Sequence, residues 1–220
     1  MIKNIHVKVG KNIVLGNNLP LVLIAGPDSI ESEKHALFMA SKIKKICENL
    51  GIPFIFKASY DKANRTSADS FRGVGLNRGL EILSKIRKNL NIAVTTDVHT
   101  AGEAKKAGRV VDLIQIPALL SRQTDLLVTA AKTGRAVNIK KGQFIAPHNI
   151  DGPIGKVESG GNRSILITER GYMFGYNNVV VDMRGLEIMK QFGYPVIFDA
   201  SHTVQFPSGS DKISGGDRNL

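Results

Sequence analysis

Tryptophan is absent and aromatic residues make up only 6% of the 220-residue chain, which leaves few parts for the platforms on which nucleic-acid bases stack. There is one cysteine, Cys47, so no internal disulfide can form; it falls with Ile43, Ile46 and Leu50 on the apolar side of a helical pattern, as a small core residue would. Long apolar runs are also missing. The longest, Leu19 to Pro27, is far too short to span a bilayer, and the amino terminus has neither the apolar core nor the cleavage site of a signal peptide. A cytoplasmic protein without membrane association is expected. No glycine-rich dinucleotide fingerprint is found, because Arg72-Gly73-Val74-Gly75 has the wrong spacing and does not directly follow a strand pattern. Zinc-protease and cysteine-pair metal motifs are absent too. Acidic residues are scarce: 19 Asp and Glu against 30 Lys and Arg leave a net charge of +11, which suits nucleic acid and phosphorylated metabolites alike. Position separates the two, since Lys42, Lys44, Lys45, Lys85, Lys88, Lys105 and Lys106 all fall on the outward faces of helical patterns, as solvated surface does.

What is present is a regular alternation. After a hairpin pattern (Ile5 to Val9, turn at Gly10-Lys11, Ile13 to Leu15), seven short β-type runs recur: Leu21 to Ala25, Phe54 to Ala58, Ala93 to Thr96, Leu113 to Ile116, Ala136 to Ile139, Ser164 to Thr168 and Val196 to Asp199. Helical patterns separate them. Ala36, Met39, Ala40, Ile43, Ile46, Cys47 and Leu50 share one face, closed by Gly51 and Pro53; Leu76, Leu80, Leu83 and Ile86 repeat the spacing. Shorter helices are expected around Ala101 to Ala107, Gln123 to Lys132 and Gly185 to Phe192. The alternation predicts an α/β fold with a parallel sheet. Polar residues follow every strand, which favours a β/α (TIM) barrel with an N-terminal β-hairpin over an open sheet, since a barrel gathers all its carboxyl ends around one mouth. Seven of eight strands are recognisable, so 1–220 reads as a single domain lacking the last β/α unit.

Chemistry concentrates at those strand ends. Lys57, Ser59, Lys62, Asn64, Arg65 and Thr66 put three cations with hydroxyl and amide groups into one loop, a combination suited to oxyanions. Alternation turns Lys57 inward from Phe54-Ile55-Phe56. Of Lys140 and Lys141 only one can face the barrel axis, and the other is expected in a surface ion pair. Arg170 either faces the mouth or pairs with Glu169. His99 and His202, each just past a strand with Asp97 or Asp199 nearby, suit proton transfer or metal ligation.

These segments resemble the 3-deoxy-D-manno-octulosonate 8-phosphate synthase family across nearly the whole chain. The likeness is carried by Ile24-Ala25-Gly26-Pro27, Phe56-Lys57-Ala58-Ser59, Asp61 to Ser67, Phe71-Arg72-Gly73, Thr96-Asp97-Val98-His99, Ile114-Gln115-Ile116-Pro117-Ala118, Arg122 to Asp125, Asn138-Ile139-Lys140-Lys141, Glu169-Arg170-Gly171 and Phe198-Asp199-Ala200 with His202. The resemblance implies a homotetrameric barrel that condenses phosphoenolpyruvate with arabinose 5-phosphate for lipopolysaccharide, consuming water and releasing phosphate. It places Lys57, Ser59, Lys62, Gln115, Lys140, Arg170 and His202 on phosphoenolpyruvate, with Lys57, Lys62, Lys140 and His202 as catalytic candidates. Asn64, Arg65 and Thr66 would reach arabinose 5-phosphate, Arg65 from a neighbouring subunit, and Asp97 is a further substrate-binding candidate. Asp28 departs from the family, whose metal-dependent branch has cysteine there and whose metal-independent branch has asparagine. Either it is, with His202 and carboxylates of an eighth strand not recognised in this sequence, a ligand for manganese, magnesium or zinc, or it stands in for the asparagine, accepting a hydrogen bond or pairing with a lysine such as Lys62; Asp211 to Gly216 looks like the metal-dependent branch. The rivals are the related synthase that uses erythrose 4-phosphate, a Schiff-base aldolase on Lys57 or Lys140, and a basic nucleic-acid-binding protein.

Overall fold

The computed structural model of the chain describes residues 4–65, 67, 69–176, 178–206 and 215–216. Thr66 and Asp211 to Ser214 lie outside them. An antiparallel hairpin of β1 (Val7–Val9) and β2 (Ile13–Leu15) comes first, turning at Gly10 with φ 64°. Units of strand and helix follow: β3 (Leu23–Ala25), α1 (Glu33–Leu50), β4 (Phe54–Lys57), α2 (Leu76–Leu90), β5 (Ala93–Asp97), α3 (Ala101–Ala107), β6 (Leu113–Ile116), α4 (Thr124–Lys132), β7 (Ala136–Lys140), α5 (Asp151–Ser159) and β8 (Ile165–Glu169). A small antiparallel pair, β9 (Tyr172–Met173) and β10 (Val179–Val180), then leads into α6 (Arg184–Lys190) and β11 (Val196–Phe198). Last, β12 (Gln205–Phe206) pairs with β13 (Gly215–Gly216).

Among the described residues β3, β4, β5, β6, β7, β8 and β11 form one parallel sheet in that order, curled like part of a TIM-type barrel. Every strand expected from the sequence is present. The sheet has two apolar faces, as parallel strands under crossover helices must. Phe54, Phe56, Val94, Ile114, Val137, Ile139, Ile165 and Ile167 pack outward against the helices, in a layer that also holds Leu83, Ile86 and Leu127. Ile55, Ala93, Leu113, Ala136 and Leu166 point the other way and meet Val7, Val9 and Leu15 of the hairpin, which plugs the barrel from its amino-terminal end.

The period of two then decides what lies above that floor. Thr95, Gln115, Asn138 and Thr168 share the inward rank of their strands; Thr168 donates to Asn138 Oδ1 at 2.7 Å and Asn138 donates to Gln115 Oε1 at 3.3 Å. One rank further come Asp97, Lys140 and Arg170, and Lys57 joins them from β4, where it is the next inward residue after the floor residue Ile55 and is in register with Thr95. Apolar floor, neutral amide and hydroxyl layer, and charged roof thus follow from alternate residues of the same strands.

Helix ends are set locally. Ser32 caps α1 by accepting from the His35 N–H at 3.1 Å, and Gly51 closes it in the left-handed region at φ 66°. The apolar face expected for α1 is narrower than its sequence suggests: Ala36, Ala40 and Cys47 are buried, whereas Ile46 is 57% and Leu50 66% exposed. The helix rests on β4 and α2 through its small residues, and no described element covers the flank carrying Ile46 and Leu50. Helix α5 was not expected, because its sequence DGPIGKVES holds two glycines and a proline. Pro153 sits in the first turn, where its missing N–H costs nothing.

Candidate active site

A cavity of about 350 Å3 opens over the charged roof. Of the residues singled out from the sequence, Lys57, Ser59, Lys62, Asn64 and Asp97 line one side and Gln115, Lys140, Arg170 and His202 the other. Their strands bring them together because each lies at or just past a carboxyl end. Gly26 allows the close approach of β3 to β4: a Cβ there, at φ 159°, would lie 1.9 Å from the Lys57 carbonyl oxygen.

The cations are held in stages. Lys57 is 3.9 Å from Asp97 and donates to Ser59 Oγ at 3.3 Å, while Ser59 donates a short hydrogen bond to Asp97 Oδ1. Burial pushes the Lys57 ammonium down to about 8, against the opposing pull of Asp97. Burial would raise the Asp97 carboxyl, yet His99, Lys57, Lys62 and Ser59 hold it well below the usual carboxylate range. Across the mouth Lys140 lies 2.7 Å from Asp199 Oδ2, and His202 Nδ1 lies 2.8 Å from the same oxygen. Burial lowers the pKa of the Lys140 ammonium and of the His202 imidazole, with Asp199 opposing. Asp199 itself, which burial would raise, is held far down by His202 and Lys140. Arg170 differs: its Nε and Nη1 are buried with no partner among the described residues, and burial lowers its guanidinium despite Asp199 and Glu169. A buried guanidinium with open donors is a socket for an anion.

Lys141 corrects an expectation. It is not in a surface pair; its ammonium is 0% exposed, 3.4 Å from Glu169 Oε1 and 3.6 Å from the centre of the Tyr172 ring, on the outward side of the sheet. Glu169 Oε1 also accepts the backbone N–H of Arg170 at 2.9 Å and of Gly171 at 2.6 Å. The Arg170 side chain is therefore left to the cavity, and in place of the alternative pairing with Glu169 that carboxylate takes these backbone bonds.

Asp28 lies at the rim, where Lys62 reaches it at 2.5 Å and Arg65 at 3.4 Å. Burial would raise its carboxyl, but Lys62 leads the cations that lower it. His202 is committed to Asp199 and Lys140. The candidate metal ligands Asp28 and His202 each face an ammonium, Asp28 that of Lys62 and His202, through Nδ1, that of Lys140, and among the described residues no group of three His, Cys, Asp or Glu side chains that could hold an ion is found. Gln143, which also lines the cavity, was missed by sequence reasoning. So was the carboxylate of Glu103 behind His99, although Thr100-Ala101-Gly102-Glu103 has the spacing of a helix capping box.

The model of the DAHP synthetase I family matches residues 4–214 of the chain. Among curated proteins, the 2-dehydro-3-deoxyphosphooctonate aldolase of Granulibacter bethesdensis is 56% identical over 207 residues, covering 94% of this chain and 73% of that protein. The protein of that name from Geotalea daltonii is 53% identical over 218 residues, 99% of this chain and 79% of the relative. The one from Rickettsia typhi is 54% identical over 94% of this chain and 76% of its own length.

Proposed function

Because the chain belongs to the DAHP synthetase I family, we infer that it works as the relatives' shared name says, on a phosphorylated eight-carbon keto acid. It is an enzyme that condenses phosphoenolpyruvate with D-arabinose 5-phosphate and water to give 3-deoxy-D-manno-octulosonate 8-phosphate and phosphate, a step toward lipopolysaccharide. The observation that carries this reading is the convergence of Lys57, Lys140 and the unpartnered Arg170 nitrogens on one cavity. Cations buried there match a substrate that bears a carboxylate and a phosphate on three carbons.

In the reaction a carbon–carbon bond forms between C3 of the enol and the aldehyde carbon, the aldehyde oxygen takes a proton, water supplies oxygen to C2, and phosphate departs. Arg170 and Lys140 hold the anionic groups of phosphoenolpyruvate, with Gln115 and Ser59 orienting them. Lys57, whose ammonium titrates at about 8, has a proton to share with the developing alkoxide at neutral pH. Asn64 and Arg65 receive the sugar phosphate, with Thr66 from outside the described residues, while Lys62 joins in holding phosphoenolpyruvate and His202 holds Asp199 and Lys140 in place. Positioning two anions against their repulsion supplies much of the rate. One domain, a homotetramer and a cytoplasmic setting belong to the same proposal. No described helix is long and apolar enough to cross a membrane.

The test is phosphate release from phosphoenolpyruvate, with arabinose 5-phosphate giving much faster turnover than erythrose 4-phosphate. Equal or reversed preference would favour the erythrose 4-phosphate synthase instead, and steeply salt-dependent nucleic-acid binding without phosphate release would favour the basic binding protein.

A further inference from the structure

His99 stands between two carboxylates. Its Nε2 is 3.3 Å from Asp97 Oδ2, and its Nδ1 is 3.3 Å from Glu103 Oε2. Glu103 lies in the first turn of α3, where its own N–H is capped by Thr100 Oγ1 at 3.2 Å. In the usual capping box the glutamate returns to the N–H of the cap residue. Here it reaches one residue further back, accepting from the His99 N–H at 2.8 Å, and the Tyr60 hydroxyl donates to the same Oε2 at 2.6 Å. The Tyr60 ring meets the imidazole edge-on, with centroids 6.1 Å apart, and Gly79 leaves room for it, since a Cβ there would lie 2.2 Å from Tyr60 Cβ. Backbone, hydroxyl and imidazole thus converge on one carboxylate oxygen, which fixes the ring of His99.

A ring nitrogen facing a carboxylate oxygen bonds to it only by donating. With a carboxylate on each side both nitrogens must carry hydrogen, which is the imidazolium form. We propose that Glu103 is a positioning residue that holds His99 as an imidazolium, so that Asp97 turns its other oxygen to Ser59 and Lys57 while its charge is cancelled within the anion cavity. The inference rests on the phosphoenolpyruvate reading of that cavity for its purpose, though not for its geometry. Without the imidazolium, a carboxylate two strands from Lys140 would face the substrate's own charges, and phosphoenolpyruvate would bind more weakly. The groups facing His99 are Asp97 from β5, Glu103 from α3, and Tyr60 with Asp61 from the segment after β4. Burial opposes its charge, and the carboxylates outweigh burial to raise its pKa. Its charge is present below that raised value and lost as pH rises through it.

The test is nitrogen NMR of the ring in the full chain without substrate, with His99 assigned by its absence in His99→Asn. Both ring nitrogens should be protonated at neutral pH in the parent chain. Glu103→Gln should lower the midpoint by about one to three pH units, the range for removing a charge at this separation, and Glu103→Asp should restore part of the shift. Phosphoenolpyruvate affinity, followed by titration against pH, should fall at correspondingly lower pH in Glu103→Gln than in the parent. A His99 with one bare nitrogen at neutral pH in the parent, or a midpoint unchanged in Glu103→Gln, overturns the proposal. If Glu103→Gln does not fold, the parent spectrum still decides. The spectra need no turnover, so they separate failure of this inference from failure of the synthase reading: an imidazolium with no phosphate release sinks only the latter.

Discussion

Lys140 and Lys141 differ by one position and by everything around them. The Lys141 ammonium is kept inside the sheet-to-helix layer by Glu169 and the Tyr172 ring, so removing it strands a buried carboxylate. Lys141→Ala should cost about 3 to 5 kcal/mol of stability in urea denaturation. Lys140→Ala leaves Asp199 still paired with His202, so it should cost less stability than Lys141→Ala and instead remove about 2 to 5 kcal/mol of transition-state stabilisation in kcat/KM. The reverse pattern would contradict the assignment of the two faces. Lys57 sets a pH dependence. Its folded pKa of about 8 lies below that of a free lysine, so the ammonium is charged below pH 8 and lost above it. The kcat/KM for phosphoenolpyruvate should therefore fall above pH 8, and that fall should vanish in Lys57→Met.

At the level of elements, Gly26 marks where β3 must pass the end of β4. Gly26→Ala puts a methyl against the Lys57 carbonyl and should destabilise by about 1 to 3 kcal/mol while raising KM, as thermal unfolding and kinetics together would show. Wild-type values for both would mean the approach is looser than described. The strands were legible because each is a short apolar run, and Lys57 could be placed inward by counting from Ile55. Helix α1 was legible in extent, from the Ser32 and Gly51 caps, but not in its buried face, since Ile46 and Leu50 look like core until the neighbouring elements are known. Helix α5 escaped because propensity is outweighed there by packing: Ile154 and Val157 are buried among the helices. The same limit applies to the site. Cations at strand ends could be found by position, whereas the pairing of Glu103 with His99 and Tyr60, and of Lys141 with Glu169, depends on which way a loop turns.

For the molecule as a whole, the described sheet has two edges, β3 and β11, each paired on one side only. Leu21 beside β3 is 87% exposed and Leu23 within it 40% exposed, and an open edge flanked by apolar side chains invites another chain. The 220-residue chain should therefore self-associate as concentration rises, measured by light scattering; a monodisperse monomer at millimolar concentration would show that those edges are protected. The ranked interior has another consequence. Because floor, amide layer and roof are alternate letters of the same strands, each strand is read in two frames, one for the helices and one for the axis. A substitution alters one letter, but deleting one residue within β7 would exchange the frames, sending the substrate's lysine into the apolar layer and Glu169's lysine into the mouth. Variation in this barrel should thus accumulate by replacement within strands, and by changes of length only in the loops between them.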